Sequence, residues 1–393
     1  MKVVISVHGR YHAFDLAKGL QARGCSVQVT TTYPRFAARR FLPANVRLRC
    51  APWLEAWRRA EGRIPAIPAT EPGLHRAFGR FAARSLPAEA DLLVGWSSAT
   101  LEAIPVARAR GMAVIVERGS THILHQNEVL AAEYERLGLP PVPIHPVIME
   151  RELAEYAQAD AIAIPTAYVA ETFMARGVAR DKLIVNPYGI DEARLKPPCR
   201  RSDRSGKPKI LFVGQVGVRK GVATLLRAFA RLRGRAELHL VGPVEPAFRP
   251  ILRREIGEDV YLHGSLSGDS LAAAYAGADV FCLPSVEEGF GLVLLEAMAA
   301  GLPVIATDVT GGRDLVVPEV NGWMIPAGRE EPLSEVLRDA LSGRRRLAEM
   351  GAAGRRRIDE AFTLAHYCDR AAQGYRNLLR ARKNAHWIGE VCG

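Results

Sequence analysis

The stretch Asp279-Val-Phe-Cys-Leu-Pro284-Ser-Val-Glu-Glu288-Gly-Phe-Gly291-Leu-Val-Leu-Leu-Glu296-Ala-Met-Ala-Ala-Gly301-Leu-Pro-Val304-Ile-Ala-Thr-Asp308 reads as strand, loop, helix, strand. An apolar run ends at Pro284 and a helix begins near Gly291. Glu288 stands in the loop before that helix and Glu296 inside it. Gly289 and Gly291 let the backbone approach a ligand, and the first amides of the helix are unpaired donors. Such a place suits anionic oxygens, and the carboxylates beside it suit hydroxyl groups. Two acidic residues favoured by the helix dipole would give the same pattern without any ligand.

Outward from this stretch, short apolar strands alternate with amphipathic helices. Strands are expected at Val3–Val7, Val27–Thr31, Leu92–Trp96, Val114–Glu117 and Ala161–Pro165. They resume at Lys209–Val213, Ala236–Val241, Val260–Leu262, Val280–Leu283 and Val304–Ala306. Alternation of this kind means parallel sheets covered by helices on both faces. It runs twice, and the polar stretch Pro197–Pro208 is the natural linker. The chain is thus expected to be α/β, with two doubly wound, Rossmann-like domains, 1–195 and 196–365, facing each other across a cleft. Ligands of such sheets bind beyond the carboxyl ends of the strands.

The length of 393 residues fits two domains, and 48% apolar against 24% charged residues excludes a disordered chain. No apolar run approaches the ~20 residues that cross a bilayer, and the N-terminus reads as a buried strand rather than a leader. The expected location is the cytoplasm. Six scattered cysteines with no CxxC are expected to be reduced thiols.

The net charge of +11 is concentrated at one end. The first 110 residues hold 17 Lys and Arg against 7 Asp and Glu. A lopsided charge points to one face that meets an anion rather than to nucleic acid. Arg76, Arg80 and Arg84 share one helical face, with Leu74, Phe78 and Phe81 on its flank. Trp53, Trp57, Arg58 and Arg59 form a similar mixture. Two readings stay open: a basic helix lying on an anionic membrane at its inner face, or a surface helix with its apolar side in the core.

The segment Glu288-Gly289-Phe290-Gly291 with Glu296, continued by Ala297-Met298-Ala299 and Gly301-Leu302-Pro303-Val304-Ile305-Ala306, resembles the signature of the retaining glycosyltransferases of family 4. These have the GT-B fold and carry two glutamates separated by seven residues. The resemblance implies that Glu288 contacts hydroxyls of the transferred sugar and Glu296 the nucleotide ribose. It sets Gly289, Phe290, Gly291 and Leu292 against the donor. Upstream, Gly214-Gln215-Val216-Gly217-Val218-Arg219-Lys220-Gly221 resembles the family's glycine turn and basic pair. Lys220 then faces the donor diphosphate. The usual arginine is Gln215 here, and Arg219 is placed to supply the second charge.

In the first half the resemblance is weaker. It sets Gly9, in His8-Gly9-Arg10, near donor and acceptor, and His122 near the transferred sugar. Asn186-Pro187-Tyr188-Gly189-Ile190-Asp191 is similar to the family's turn at the domain junction. Phe362–Arg380 resembles its long helix, expected over 366–393, that crosses back onto the first domain. The implied activity is a retaining transfer of sugar from a nucleotide-diphosphate sugar to a hydroxyl acceptor, without metal or other cofactor. The expected acceptor is a glycan or lipid-linked glycan of a surface polysaccharide, glycolipid or lipopolysaccharide. The alternatives are a non-catalytic nucleotide-sugar-binding protein, and an epimerase or phosphorylase on the same fold.

Overall fold

In a computed structural model the chain forms two parallel sheets, each with helices on both faces; residues 1–60, 71–191, 206–232 and 234–392 are described. The first sheet contains β1 (Lys2–Val7), β2 (Ser26–Thr31), β3 (Arg47–Cys50), β4 (Leu92–Trp96), β5 (Ala113–Glu117), β6 (Ala161–Ile164) and β7 (Leu183–Val185). Their spatial order is β3-β2-β1-β4-β5-β6-β7. The second contains β8 (Lys209–Val213), β9 (Glu237–Val241), β10 (Val260–Gly264), β11 (Val280–Leu283), β12 (Val304–Thr307) and β13 (Gly322–Ile325), ordered β10-β9-β8-β11-β12-β13. Every pairing between these strands is parallel.

The two-fold doubly wound GT-B architecture is therefore present. Central strands such as β4, β5 and β11 are buried along their whole length, which is why they read as unbroken apolar runs. Three strands fall outside the expected set. β3 is an edge strand in which only Leu48 is buried, so Arg-Leu-Arg-Cys carries no apolar run. β7 and β13 are short and lie at the other edges.

Strand order reverses between β1 and β4 and between β8 and β11. The loop after the carboxyl end of β1, His8 to His12, lines the space between the domains, the place a doubly wound sheet reserves for ligand. The expected linker lies, except for its last three residues, outside the described residues.

The C-terminal helix Leu364–Cys392 crosses back to the first domain, as the resemblance implied. Arg23 donates to Asp369 at 2.6 Å, and a Cβ on Gly19 would stand 2.1 Å from Cys368 Sγ. The helix starts at the domain junction. There Leu364 donates its amide to Ile190 O at 2.8 Å, and Arg370 donates to Asn186 Oδ1 at 3.2 Å and Pro187 O at 2.6 Å. The turn Asn186–Asp191 is thus clamped by the returning helix. Cys25, Cys50, Cys282 and Cys368 are free thiols. Among the described residues, no helix is long and apolar enough to cross a membrane.

Candidate active site between the domains

The interdomain cleft has a volume of about 1340 Å³. On the first-domain side it is lined by the loop after β1, His8 to His12, and by Arg58, Arg59 and His75. On the second-domain side it is lined by Leu266, Ser267, Leu292 and Glu296. Gly9 has φ +110°, which turns the chain sharply after β1 and presents Arg10 and Tyr11 to the cleft. The Arg10 guanidinium lies 4.0 Å over the Phe41 ring. His8 packs 5.3 Å from His75, whose pKa burial lowers to about 4.

The helix Leu292–Ala299, which follows the loop Pro284–Gly291, supplies Leu292 and Glu296 to the other wall. Gly291 has φ +83°, where a side chain would also press on Leu283 Cδ2 at 2.8 Å. Its glycine is thus required by backbone and packing together. Glu296 accepts a hydrogen bond from Tyr275 Oη at 2.7 Å. Burial raises its carboxyl pKa, and that hydrogen bond opposes the rise. Leu292 stands at the helix start and is exposed to the cleft.

Glu288 is buried and forms an ion pair with Lys220, with Arg219 Nη1 3.5 Å from its other oxygen. Burial pushes this carboxyl up; Lys220 and Arg219 outweigh it and hold the pKa below the ordinary value. Glu288 is therefore an anion at neutral pH. Glu296 on the adjoining helix lines the cleft, whereas Lys220, Arg219 and Glu288 form one cluster that does not. Gln215 is exposed and takes no part in it.

Three expected residues are placed differently. His122 is buried, with its ring 4.9 Å from Phe173 and 5.3 Å from Tyr156. Its Nδ1 accepts from Leu124 N at 3.3 Å and so caps the helix Ile123–Arg136. The structure does not bring it to the cleft. Phe290 turns inward and packs 5.3 Å from Tyr188. A Cβ on Gly289 would lie 1.8 Å from Gly119 O, so this glycine serves the contact between domains rather than an opening toward ligand.

The residue that sequence reasoning missed is Glu287. Its side chain is fully buried and reaches the opposite domain. Oε1 accepts from Thr121 Oγ1 at 2.7 Å, Ser120 Oγ at 3.1 Å and Thr121 N at 3.2 Å; Oε2 accepts from Gln126 Nε2 at 3.0 Å. Arg219 lies 3.4 Å away on its own side. The only signal in the sequence is the doubled Glu287-Glu288.

On the first domain, Arg76, Arg80 and Arg84 are exposed along the helix Glu71–Ser85, as expected. Leu74 and Phe78 are in the core, and Phe81 is half-buried edge-on to Trp53. Trp53 and Trp57 do face solvent, 57% and 48% exposed, as do Tyr11 and Phe36.

Known proteins share both halves of this arrangement. The family model described as "Glycosyl transferases group 1" matches residues 200–357, and "Glycosyltransferase Family 4" matches residues 9–194. The chain is 29% identical to the MMP alpha-(1->4)-mannosyltransferase of Mycolicibacterium hassiacum, over 70% of this chain and 74% of that one. It is 30% identical to the D-inositol 3-phosphate glycosyltransferase of Nocardia farcinica, over 75% of this chain and 68% of that one. Sucrose-phosphate synthase from Thermosynechococcus elongatus superposes with a TM-score of 0.73 at 21% identity, covering 97% of this chain and 100% of that one. The Anabaena protein HepE, solved in complex with UDP-glucose, gives 0.67 at 16% identity, covering 96% and 100%.

Proposed function

The chain belongs to glycosyltransferase family 4, and from that premise we propose that it transfers a sugar from a nucleotide-diphosphate sugar to a hydroxyl acceptor with retention at the anomeric carbon. The observation that carries this reading is the charged cluster of the second domain. Glu288 is held as an anion beside Lys220 and Arg219, and Glu296 stands on the helix whose first amides open behind Gly291.

In this reading the donor diphosphate lies against Lys220, Arg219 and the helix amides. Charge that develops on the departing phosphate is stabilised there by groups already in place. Glu288 orients hydroxyls of the transferred sugar and Glu296 those of the ribose. The acceptor hydroxyl enters on the face the diphosphate leaves, and the departing phosphate takes its proton. Positioning and electrostatics then suffice, and the reaction needs no bound metal. The complex of HepE with UDP-glucose supports a nucleotide-sugar donor.

The acceptor side carries Arg10, with Arg58 and Arg59 paired to Glu55 in the same cleft. We assign it a glycan or lipid-linked glycan of surface polysaccharide, glycolipid or lipopolysaccharide assembly. The exposed Trp53 and Trp57, and the outward Arg76 and Arg80, suit an enzyme that works from the cytoplasm on the anionic inner face of a membrane.

The experiment is a panel of UDP-, GDP- and ADP-sugars screened by thermal shift. The best ligand is then used for turnover with and without EDTA, and the product anomer is read by NMR. The expected result is one base strongly preferred, full activity in EDTA and a retained anomer. Donor binding with neither hydrolysis nor transfer would favour the non-catalytic binding protein. An inverted product would remove the retaining mechanism.

A further inference from the structure

A second cleft lies at the outer edge of the first sheet and shares no lining residue with the interdomain one. It holds about 810 Å³ between the short helix Arg35–Ala38, strand β3 and the end of the helix Glu71–Ser85. Five arginines line it: Arg35, Arg39, Arg47, Arg49 and Arg84. No Asp or Glu does.

Two of these arginines are fixed by neutral partners. An edge strand leaves outward carbonyls without a ladder partner. Arg35 Nη2 donates to Leu48 O at 3.2 Å, and Arg39 donates to Pro43 O at 2.6 Å and Val46 O at 2.9 Å. A carbonyl orients a guanidinium without cancelling its charge. Arg47 and Arg49 stand two residues apart on β3 and so share one side of the strand. Arg84 approaches from the neighbouring helix. All three are exposed, and among the described residues none of them meets a carboxylate.

Arg23, Arg346 and Arg355 each pair with an aspartate. Five guanidinium groups around one hollow repel one another, and an anion with several charges relieves that repulsion. A guanidinium fork fits the oxygens of a phosphate through two parallel hydrogen bonds. The hollow is large enough for a head group rather than a lone ion. At its rim Phe81 meets the exposed Trp53, ring to ring at 5.4 Å.

We propose that this cleft is a second binding site, for a ligand carrying phosphate ester groups, apart from the site of transfer. The chemistry is common to a soluble phosphate ester and to the head group of an anionic phospholipid.

The full chain is titrated calorimetrically with sn-glycerol 3-phosphate, and separately sedimented with phosphatidylcholine vesicles containing phosphatidylglycerol. The test variant is Arg47→Gln/Arg49→Gln/Arg84→Gln. The control is Arg249→Gln/Arg253→Gln, which removes equally exposed charges from the second domain, outside both clefts. Wild type binds at least one probe, and the triple variant binds it about tenfold or more weakly, since each lost contact is a hydrogen bond to a charged group. The control stays within about twofold of wild type. Response to glycerol phosphate identifies a soluble ester, and response to vesicles alone identifies a lipid. Arg84→Gln by itself gives the same direction should the triple variant melt early. Binding of neither probe by wild type, equal binding by the triple variant, or an equal loss in the control would each overturn the proposal.

Discussion

Glu287 Oε1 accepts a hydrogen bond from Thr121 Oγ1 at 2.7 Å, and the bond joins the two domains across their closed side. Glu287 immediately precedes Glu288, and Thr121 immediately precedes His122. The bond therefore fixes the loop of one wall against the helix start of the other. Thr166 Oγ1 adds a second tie by donating to Gly289 O at 3.1 Å. A buried carboxylate with four donors from the opposite domain is a positioning group: it sets the spacing of the cleft and touches no expected substrate atom.

Glu287→Ala strands those donors in a buried place. The cost is of order 1–3 kcal/mol per group left unpaired, so the melting temperature should fall by several degrees. Glu287→Gln keeps one acceptor oxygen and should lose about half as much. The readout specific to positioning is kinetic. In Glu287→Gln, kcat for transfer should fall by more than the affinity for nucleoside diphosphate changes, because Arg219 is the one proposed donor contact that Glu287 touches. Wild-type melting in Glu287→Ala would show that the domains are held by other contacts.

Glu288 is the group proposed to act on the transferred sugar. Its removal leaves Lys220 without its carboxylate and free for the diphosphate, while Arg219 keeps Glu287. Glu288→Ala should thus lower turnover about tenfold or more, the worth of a hydrogen bond involving a charged group. Nucleoside diphosphate should bind as tightly as to wild type, or more tightly. Calorimetry and turnover on the same preparation separate the two. Full transfer activity in this variant would displace Glu288 from the site.

Lys220 and Arg219 differ in how firmly they are tied. Lys220 pairs with Glu288 alone, whereas Arg219 is shared between Glu287 and Glu288 at 3.4 and 3.5 Å. Lys220→Ala should weaken donor binding about tenfold, and Arg219→Ala by less. Lys220→Ala also removes the nearer of the two cations that hold Glu288 ionised. The acid limb of its pH–turnover profile should move toward neutral. Equal donor affinity in wild type and Arg219→Ala would pass the second phosphate contact to another residue.

The fold was legible because buried parallel strands are nearly continuous apolar runs, and Val3–Val7 or Val280–Leu283 admits few other readings. β3 was not, since an edge strand with one inward residue looks like a polar loop. At the site, Glu288 lies in the loop and Glu296 in the helix that the sequence suggested, and Lys220, from the segment after β8, pairs with Glu288. His122 was misplaced because a position after a strand end does not say which way the ring turns. Here the aromatic pair Tyr156 and Phe173 takes it inward. Glu287 could not be read at all. Its partner Thr121 lies 166 residues away in the other domain, and nothing local marks a carboxylate that will be buried there.

Glu296 offers a test in which stability and function move in opposite directions. Burial raises its carboxyl pKa in the folded protein, and the Tyr275 hydroxyl only partly offsets this. A carboxyl with a raised folded pKa adds stability below its unfolded pKa, where the folded state binds the proton more tightly. That contribution is lost as pH rises through the folded value. Ionised Glu296 in the empty cleft is therefore strained at neutral pH. Glu296→Gln removes the charge and keeps an oxygen for Tyr275. Its melting temperature should equal or fall below that of wild type near pH 4, and exceed it by a degree or more near pH 8. In the same variant, affinity for nucleoside diphosphate should drop about tenfold, because an amide is a weaker acceptor for ribose hydroxyls than a carboxylate. Thermal scans from pH 4 to 8, with and without nucleotide, measure both. A pH-independent difference in melting would show that the charge on Glu296 is not what burial opposes, and unchanged nucleotide affinity would remove it from the donor site.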